Sequence, residues 1–408
     1  MRCSRVLAAL TAAMLLVVYS GCGGGEGKKN SSSTSSGGTT QAKTSDKTSD
    51  KTSDKVSDKV SDKTAGQTAA VSTSAAPTAS ADKGAIDISL VTPDHFAAIV
   101  IHPRRLAASP LVAEKLKDEK IADAIKKFGL DPSEVEQIVV LLSMQPGDSE
   151  PIPVMITRFT HDVDIKTVLT KMQAAAATKE SKPIQEVTVA GKTCFDLGGK
   201  KNAGLAYAPS KNTIVLTVKE NMEKFLASTE PPKGPLYERL KKASTDNDLI
   251  VAMELEKYPG LDKQIDAATA GAPPMVQNYL GGAKALRGIT LGLNLTGDSL
   301  LQIVLETKDT AGAETVETLL KDGVKLLDGG LAGLKQNVPK EAKADFADAF
   351  KLGDEALAGI SVTKAGSMVT AVLKRPAGMD KVGPLVDKAI QAAMMGAMGP
   401  PKRMPNEK

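Results

Sequence analysis

Three landmarks recur along this chain at a nearly constant shift. A run of buried-strand character begins at Phe96 and another at Leu249, a Gly-Asp-Ser turn sits at Gly147 and again at Gly297, and closing turns fall near Ser210 and Lys364. The shifts are 153, 150 and about 154 residues. A spacing held over three features points to one architectural unit used twice.

The order of elements in the two halves agrees with that reading. In the first half, strand Phe96–Ile101 leads into helical spacing from Leu111 to Phe128, and Asp131-Pro132-Ser133-Glu134 has the form of a helix start. Strands Gln137–Ser143 and Ile152–Phe159 flank the Gly147 turn, and a helix is expected from Asp164 to about Ala177. In the second half, strand Leu249–Glu254 precedes a mostly helical stretch from Asp262 to Leu286. Ile289, Leu291, Leu293 and Leu295 then alternate strictly, Leu301, Ile303 and Leu305 form the returning face, and a long helix runs from Glu314 to Leu334. Each half closes with a broken strand pair and a helix, Asn221–Ala227 in the first and Gly378–Met395 in the second. Period-2 alternation is the mark of antiparallel sheet with one face on a core. The expected fold class is α+β: two similar units, each an antiparallel sheet of about five strands with helices packed on one face. The sequence leaves open whether the two sheets join or stand apart, and Pro231-Pro232-Lys233-Gly234-Pro235 marks the candidate boundary.

The core must be aliphatic, because 41% of residues are hydrophobic but only 3% aromatic, with no Trp. So few rings argue against a dedicated nucleic-acid reader, which stacks bases on aromatic side chains. Three cysteines cannot form the disulfide framework of a small secreted domain.

Upstream of the paired halves the chain reads differently. Arg2 and Arg5 precede an uncharged stretch from Val6 to Ser20, and Ser20-Gly21 leads to Cys22. A basic start, a short apolar stretch and small residues are the parts of a secretory signal, too short for a membrane span of about 20 residues. Residues 23–84 hold almost nothing apolar larger than Val and contain the repeat Lys43-Thr-Ser-Asp, Lys47-Thr-Ser-Asp, Lys51-Thr-Ser-Asp, Lys55-Val-Ser-Asp, Lys59-Val-Ser-Asp. Such a segment cannot bury enough surface to offset its ordering entropy, so it reads as a disordered tether. Its 62 residues span ~45 Å as a flexible coil.

The formal charge of +4 sits in these segments. The leader holds two basic residues, and the tether nine against seven acidic ones. Of the 52 basic and 48 acidic residues, 41 of each sign therefore remain in 85–408. A neutral body gives no electrostatic case for a polyanion partner.

The Ser-Gly-Cys ending, with Gly23-Gly24-Gly25 behind it, resembles the signal of bacterial lipoproteins. It departs from their usual pattern by carrying Tyr19 where Leu is preferred. The resemblance implies lipidation of Cys22, which would become the new N-terminus. The whole plan, with a body opening into His102-Pro103-Arg104-Arg105, is similar to uncharacterised envelope lipoproteins of planctomycete-type bacteria. That resemblance implies an exported, anchored protein and carries over no functional residue beyond Cys22. The expected organisation is a signal peptide over 1–21, the lipidated Cys and tether over 22–84, units over 85–235 and 236–396, and a flexible tail over 397–408.

Motifs with chemical potential are few. Gly191-Lys192-Thr193 lacks the leading Gly of a phosphate loop, since Glu186 stands there, and reads instead as a hairpin between Val187 and Leu197. His95, His102 and His161 show no metal-ligand spacing, and with one Cys outside the leader a zinc site is not expected. His102 and His161 read as solvated or capping residues. Cys194 has no neighbouring base and reads as a passive thiol. The acid pairs Asp162/Asp164 and Glu254/Glu256 read as solvated faces. Expected catalytic, cofactor and metal residues are therefore none. The expected function is a non-enzymatic, lipid-anchored envelope protein that binds a protein partner or serves structurally. The alternative is a periplasmic carrier or chaperone for lipid or another apolar ligand. The expected partners are the membrane through the lipid anchor and an envelope protein or apolar ligand, not nucleic acid.

Overall fold

A computed structural model of the chain describes residues 85–381, apart from 118–124, 126–129, 145–150, 177–182, 199–203, 229–230, 259, 341–342 and 345. The expected leader, tether, Gly147 turn, carboxy-terminal helix beyond Lys381 and tail lie outside the described residues.

One twelve-stranded sheet organises the body. The first half contributes β1 (His95–Ile101), β2 (Val135–Ser143), β3 (Ile152–Phe159), β4 (Gln185–Val189), β5 (Lys192–Asp196), β6 (Gly204–Ser210) and β7 (Thr213–Val218). The second contributes β8 (Leu249–Glu254), β9 (Leu286–Leu293), β10 (Ser299–Thr307), β11 (Ile360–Ala365) and β12 (Met368–Lys374). The spatial order is β11-β12-β10-β9-β8-β1-β2-β3-β7-β6-β5-β4, and all its pairings are antiparallel. The halves join edge to edge where Ile99 of β1 faces Val251 of β8. Outward from that seam the order is mirrored, β8-β9-β10-β12-β11 on one side and β1-β2-β3-β7-β6 on the other. The first half has seven strands rather than about five because the Val187–Leu197 hairpin adds β5 and β4 to its edge.

Nine helices are described: α1 (Pro103–Ala108), α2 (Pro110–Lys115), α3 (Ile165–Ala176), α4 (Lys219–Ala227), α5 (Pro235–Lys242), α6 (Leu261–Ala270), α7 (Pro274–Lys284), α8 (Thr310–Asn337) and α9 (Ala347–Ala358). The expected packing of helices on one face is corrected for the first half, which is covered on both. Alternation explains how. Ala98, Val100, Val139, Leu141 and Ile156 point to a cluster closed by Met222 of α4 and Leu236 and Leu240 of α5. Ile101, Ile138, Val140 and Met155 point the other way, to Val168 and Leu169 of α3. Strands buried on both faces read as near-continuous apolar runs, which is the form of β2 and β3. Each fully buried Ile or Leu here contributes about 1.5–3 kcal/mol.

The second half is thinner. Leu305 and Val369 meet Ala313 and Val316 of α8 on one face, while the other presents Thr290, Gln302 and Thr370, all half-buried. The expected helix start at Asp131 is likewise corrected. Asp131 caps a single 3-10 turn, Pro132–Glu134, and the chain enters β2 at once. The next residues, Val135, Gln137, Ile138 and Val139, are buried strand positions that outweigh the local cap. The helical spacing from Leu111 begins instead as α1 and α2, broken at Ser109-Pro110, where Ser109 caps α2 through Val112 N.

Ala190 (φ 47°) and Gly191 (φ 74°) form the two-residue turn between β4 and β5. Two positive φ values match the right-handed twist of a hairpin. The outermost strands each carry one charge on the α3/α8 side of the sheet. Glu186 of β4 pairs with Lys166 of α3 at 2.6 Å, and Lys364 of β11 pairs with Glu314 of α8 at 2.9 Å.

Candidate functional site

A buried polar cluster lies at the end of β1. The His102 amide donates to the Asp248 carbonyl at 2.8 Å, continuing the β1–β8 ladder. The His102 side chain, 2% exposed, lies against Gln137, 1% exposed, with Nε2 to Nε2 at 3.1 Å. Gln137 Oε1 accepts from Asp87 N at 2.8 Å, so its amide nitrogen is the donor toward His102. His102 Nε2 must then accept, leaving the proton on Nδ1. Burial pushes the His102 pKa down to about 4, and Arg105 and Arg158 add to the shift. The ring is therefore neutral near pH 7, and the reading of His102 as solvated or capping is corrected.

Arg158 completes the cluster. Its Nη2 donates to Ala85 O at 3.2 Å and its Nε pairs with Glu136 at 3.2 Å. Gln137 Nε2 also points at Ala85 O, at 3.4 Å. The peptide just beyond the expected tether is thus gripped from two adjacent strands. The strap that follows buries Ile86 and Val91 in the cluster beneath α4 and α5. Asp248 lies nearby, its Oδ2 accepting from Leu295 N at 2.7 Å, and burial raises its carboxyl pKa.

A second charged cluster lies on the second-half side of the seam, buried at Arg239 and Glu254. Arg239 of α5 donates from Nε to Glu254 of β8 at 2.7 Å and from Nη2 to Glu306 of β10 at 2.8 Å. Arg287 pairs with Glu306 at 3.5 Å and with Glu256 at 3.4 Å. The Arg239 guanidinium lies over Gly288, where a methyl would collide with it. Glu254 is 2% exposed, so its reading as a solvated face is corrected: the strand turns it toward α5, not toward water. Arg239 and Glu306, 67 residues apart, were not singled out from the sequence, which carries no local signal for such a pair.

The remaining candidates are scattered. Cys194 is fully buried beneath α4 with its thiol pKa raised by desolvation, whereas its neighbour Phe195 faces α3. His95 is buried, accepts from Thr92 N at Nδ1 (3.0 Å), and is pushed down to about 4 by burial. His161 is exposed beside Thr160, and Asp164, not His161-Asp162, caps α3 through the amides of Lys166 and Thr167. Lys192 and Thr193 open β5 past the Gly191 turn. Cys22 lies outside the described residues. Among the described residues, no group of three or more His, Cys, Asp or Glu is placed to hold a metal ion, and no helix is long and apolar enough to cross a membrane. Among the described residues, the two clusters tie Ala85 to β2 and β3 and α5 to β8 and β10.

No protein-family model matches the chain, and no curated protein does. Among solved structures it is similar to crystal form III of TP0453, at 9% identity and a TM-score of 0.36 over 75% of this chain and 100% of that one. Crystal form IV of TP0453 is similar at 8% identity and a TM-score of 0.37, over 73% of this chain and 94% of that one.

Proposed function

We propose that this chain is a non-enzymatic, lipid-anchored protein of the bacterial cell envelope whose body is a structural or protein-binding module. Cys22 would carry the lipid, and residues 23–84 would hold the body away from the membrane. The observation that carries the reading is the grip on Ala85 by Gln137 and Arg158. A coil that ends in a buried, hydrogen-bonded strap delivers any pull on the tether to central strands β2 and β3. Such a junction suits a body held at the end of a leash.

The proposal is tested by metabolic labelling with a palmitate analogue in a bacterial host. Label on the full chain that disappears in Cys22→Ser, together with release of that variant from the membrane fraction, is the expected result. Label retained by Cys22→Ser overturns the anchor. Native pull-down of the anchored chain, compared with a Cys22→Ser control, then tests for an envelope partner.

The body is further read as two similar units, 85–235 and 236–396, and the mirrored strand order around the β1–β8 seam supports that reading. A row of half-buried aliphatics, Ile99, Val251, Leu291 and Ile303, runs side by side across β1, β8, β9 and β10. That row supports the second reading, a carrier for an apolar ligand. Solvent extraction of purified protein that yields a stoichiometric lipid would favour the carrier over the scaffold.

A further inference from the structure

The two buried histidines act on opposite ends of one segment, the strap over residues 85–94. At its start, Gln137 binds the strap as a neighbouring strand would. Gln137 Oε1 accepts from Asp87 N at 2.8 Å, and its Nε2 points at Ala85 O at 3.4 Å. That pairing fixes which way the carboxamide faces, so His102 Nε2 is left to accept. At the far end, His95 Nδ1 accepts from Thr92 N and lies 3.0 Å from the Thr92 hydroxyl. Between the ends, Ile86 and Val91 are buried, and Ile88 and Leu90 pack against the same cluster.

A ring nitrogen that accepts a hydrogen bond stops doing so once it carries a proton. On a charged His102, Nε2–H would meet the Gln137 amide nitrogen, donor against donor. Turning the carboxamide over would bring Oε1 to the ring. It would also set the amide nitrogen against Asp87 N and the oxygen against Ala85 O. One carboxamide therefore cannot serve a charged ring and the strap together. On a charged His95, Nδ1–H would meet Thr92 N in the same way.

We infer that residues 85–94 form an acid-released clasp, closed by neutral His95 and His102 and opened when these rings take up protons, while the strands beneath stay paired. Burial is the main reason each ring resists its proton, and both are held at about 4. Around His102, Arg105 and Arg158 oppose a positive charge, and the backbone of Asn247 and Asp248 favours it. Glu136 is engaged by Arg158, and the Asp248 carboxylate by Leu295 N. Asp87 turns its carboxylate to Ser89, and Asp131 and Glu134 on the 3-10 turn are exposed. Around His95, Asp94 favours the charge, and Lys257, which donates to Pro93 O, opposes it. Releasing the strap returns the rings toward 6.5. The clasp is therefore fully closed above pH 6.5 and opens as the pH falls toward 4. The inference does not depend on lipidation of Cys22.

Hydrogen exchange of the full chain at pH 7.5 and 4.5, corrected for the intrinsic pH dependence of exchange, tests it beside the double variant His95→Gln/His102→Gln. Glutamine offers an acceptor oxygen that does not titrate. In the native chain the amides of Asp87 and Thr92 should lose protection by about tenfold or more at pH 4.5, while β1–β3 keep theirs. The double variant should keep both. Carbon-edited NMR of the native rings gives a second reading that needs no variant. His95 and His102 should titrate in step with strap opening, apart from the exposed His161. Strap amides still protected at pH 4.5 overturn the proposal, whether or not the rings have titrated. Equal loss of protection in the strap and in β1–β3 overturns it as well, since the whole body then opens. So does strap opening in a folded double variant, which assigns the response to Asp87, Asp94 or Glu136.

Discussion

Arg239 and Glu254 meet at 2.7 Å on side chains that are 7% and 3% exposed, joining a helix that follows the first seven strands to the second-half strand at the seam. Breaking such a pair from one side leaves a buried charge without a partner. Arg239→Ala is expected to destabilise the body by about 3–5 kcal/mol, whereas the double replacement Arg239→Met/Glu254→Leu is expected to recover most of the loss. Urea unfolding of the three variants measures both.

Gly288 depends on the same guanidinium. A side chain at 288 must displace an arginine held by two carboxylates, so Gly288→Ala is expected to cost about 2–3 kcal/mol in the native background. With Arg239→Ala already present the added cost should nearly vanish. A double-mutant cycle that comes out additive would contradict the stacking of Arg239 on Gly288.

How much of this was visible in the sequence depends on whether a signal is local. Strands Ile152–Phe159 and Leu249–Glu254 were legible to the residue, because their apolar content sits between clear turns. The Ala190-Gly191 turn was legible for the same reason. Helix α5 was not, although its signals were present. Pro235 stands at its first position and Leu236 and Leu240 are spaced by one turn, but the preceding prolines suggested a boundary. Helix α9 carries a weak signal, since Phe346, Phe350 and Leu357 lie among charged residues and none is fully buried. The seam itself could not be read. Alternation shows which residues share a face, but not which two strands meet or which side receives a helix. The burial of His102 and Glu254 is invisible locally for that reason, since what buries each of them arrives from distant parts of the chain.

Stability should fall as the solution is acidified from pH 6.5 toward 4. His95 and His102 are both held at about 4 in the folded body, against 6.5 when exposed. The unfolded chain therefore takes up protons first as pH drops. The stabilisation is complete above 6.5 and lost by about 4, at about 3 kcal/mol per histidine. Asp94 partly offsets the shift at His95, whereas Lys257 deepens it; Arg105 and Arg158 deepen it at His102. A melting series from pH 7.5 to 4 should be shallower in His102→Gln than in the native chain. Parallel curves would remove the histidine from the account.

Gln137→Leu removes the acceptor for Asp87 N and the donor to His102 together. The expected cost is about 1–3 kcal/mol, concentrated at the strap. Hydrogen exchange at Asp87 and Ser89 should rise several-fold while the centre of β2 remains protected. Uniform loss across the sheet would show that Gln137 supports the core at large rather than the strap.

Cys194 should resist alkylation in the folded protein, because the reactive thiolate is disfavoured by burial and reagent cannot reach it. Iodoacetamide at pH 8 followed by peptide mass spectrometry should find it unmodified in buffer and fully modified in denaturant. Rapid native labelling would mean that β5 and the hairpin it shares with β4 open readily.

A sheet of twelve strands whose two edges are unpaired among the described residues is a ready template for filament growth, since any extended chain could add a thirteenth. The ion pairs Lys166–Glu186 and Lys364–Glu314 stand at those two ends. An incoming strand would have to pack beside a charge already committed to a helix, with no partner of its own to offer. The two bridges thus act as chain terminators, keeping separate copies of the body from joining strand to strand.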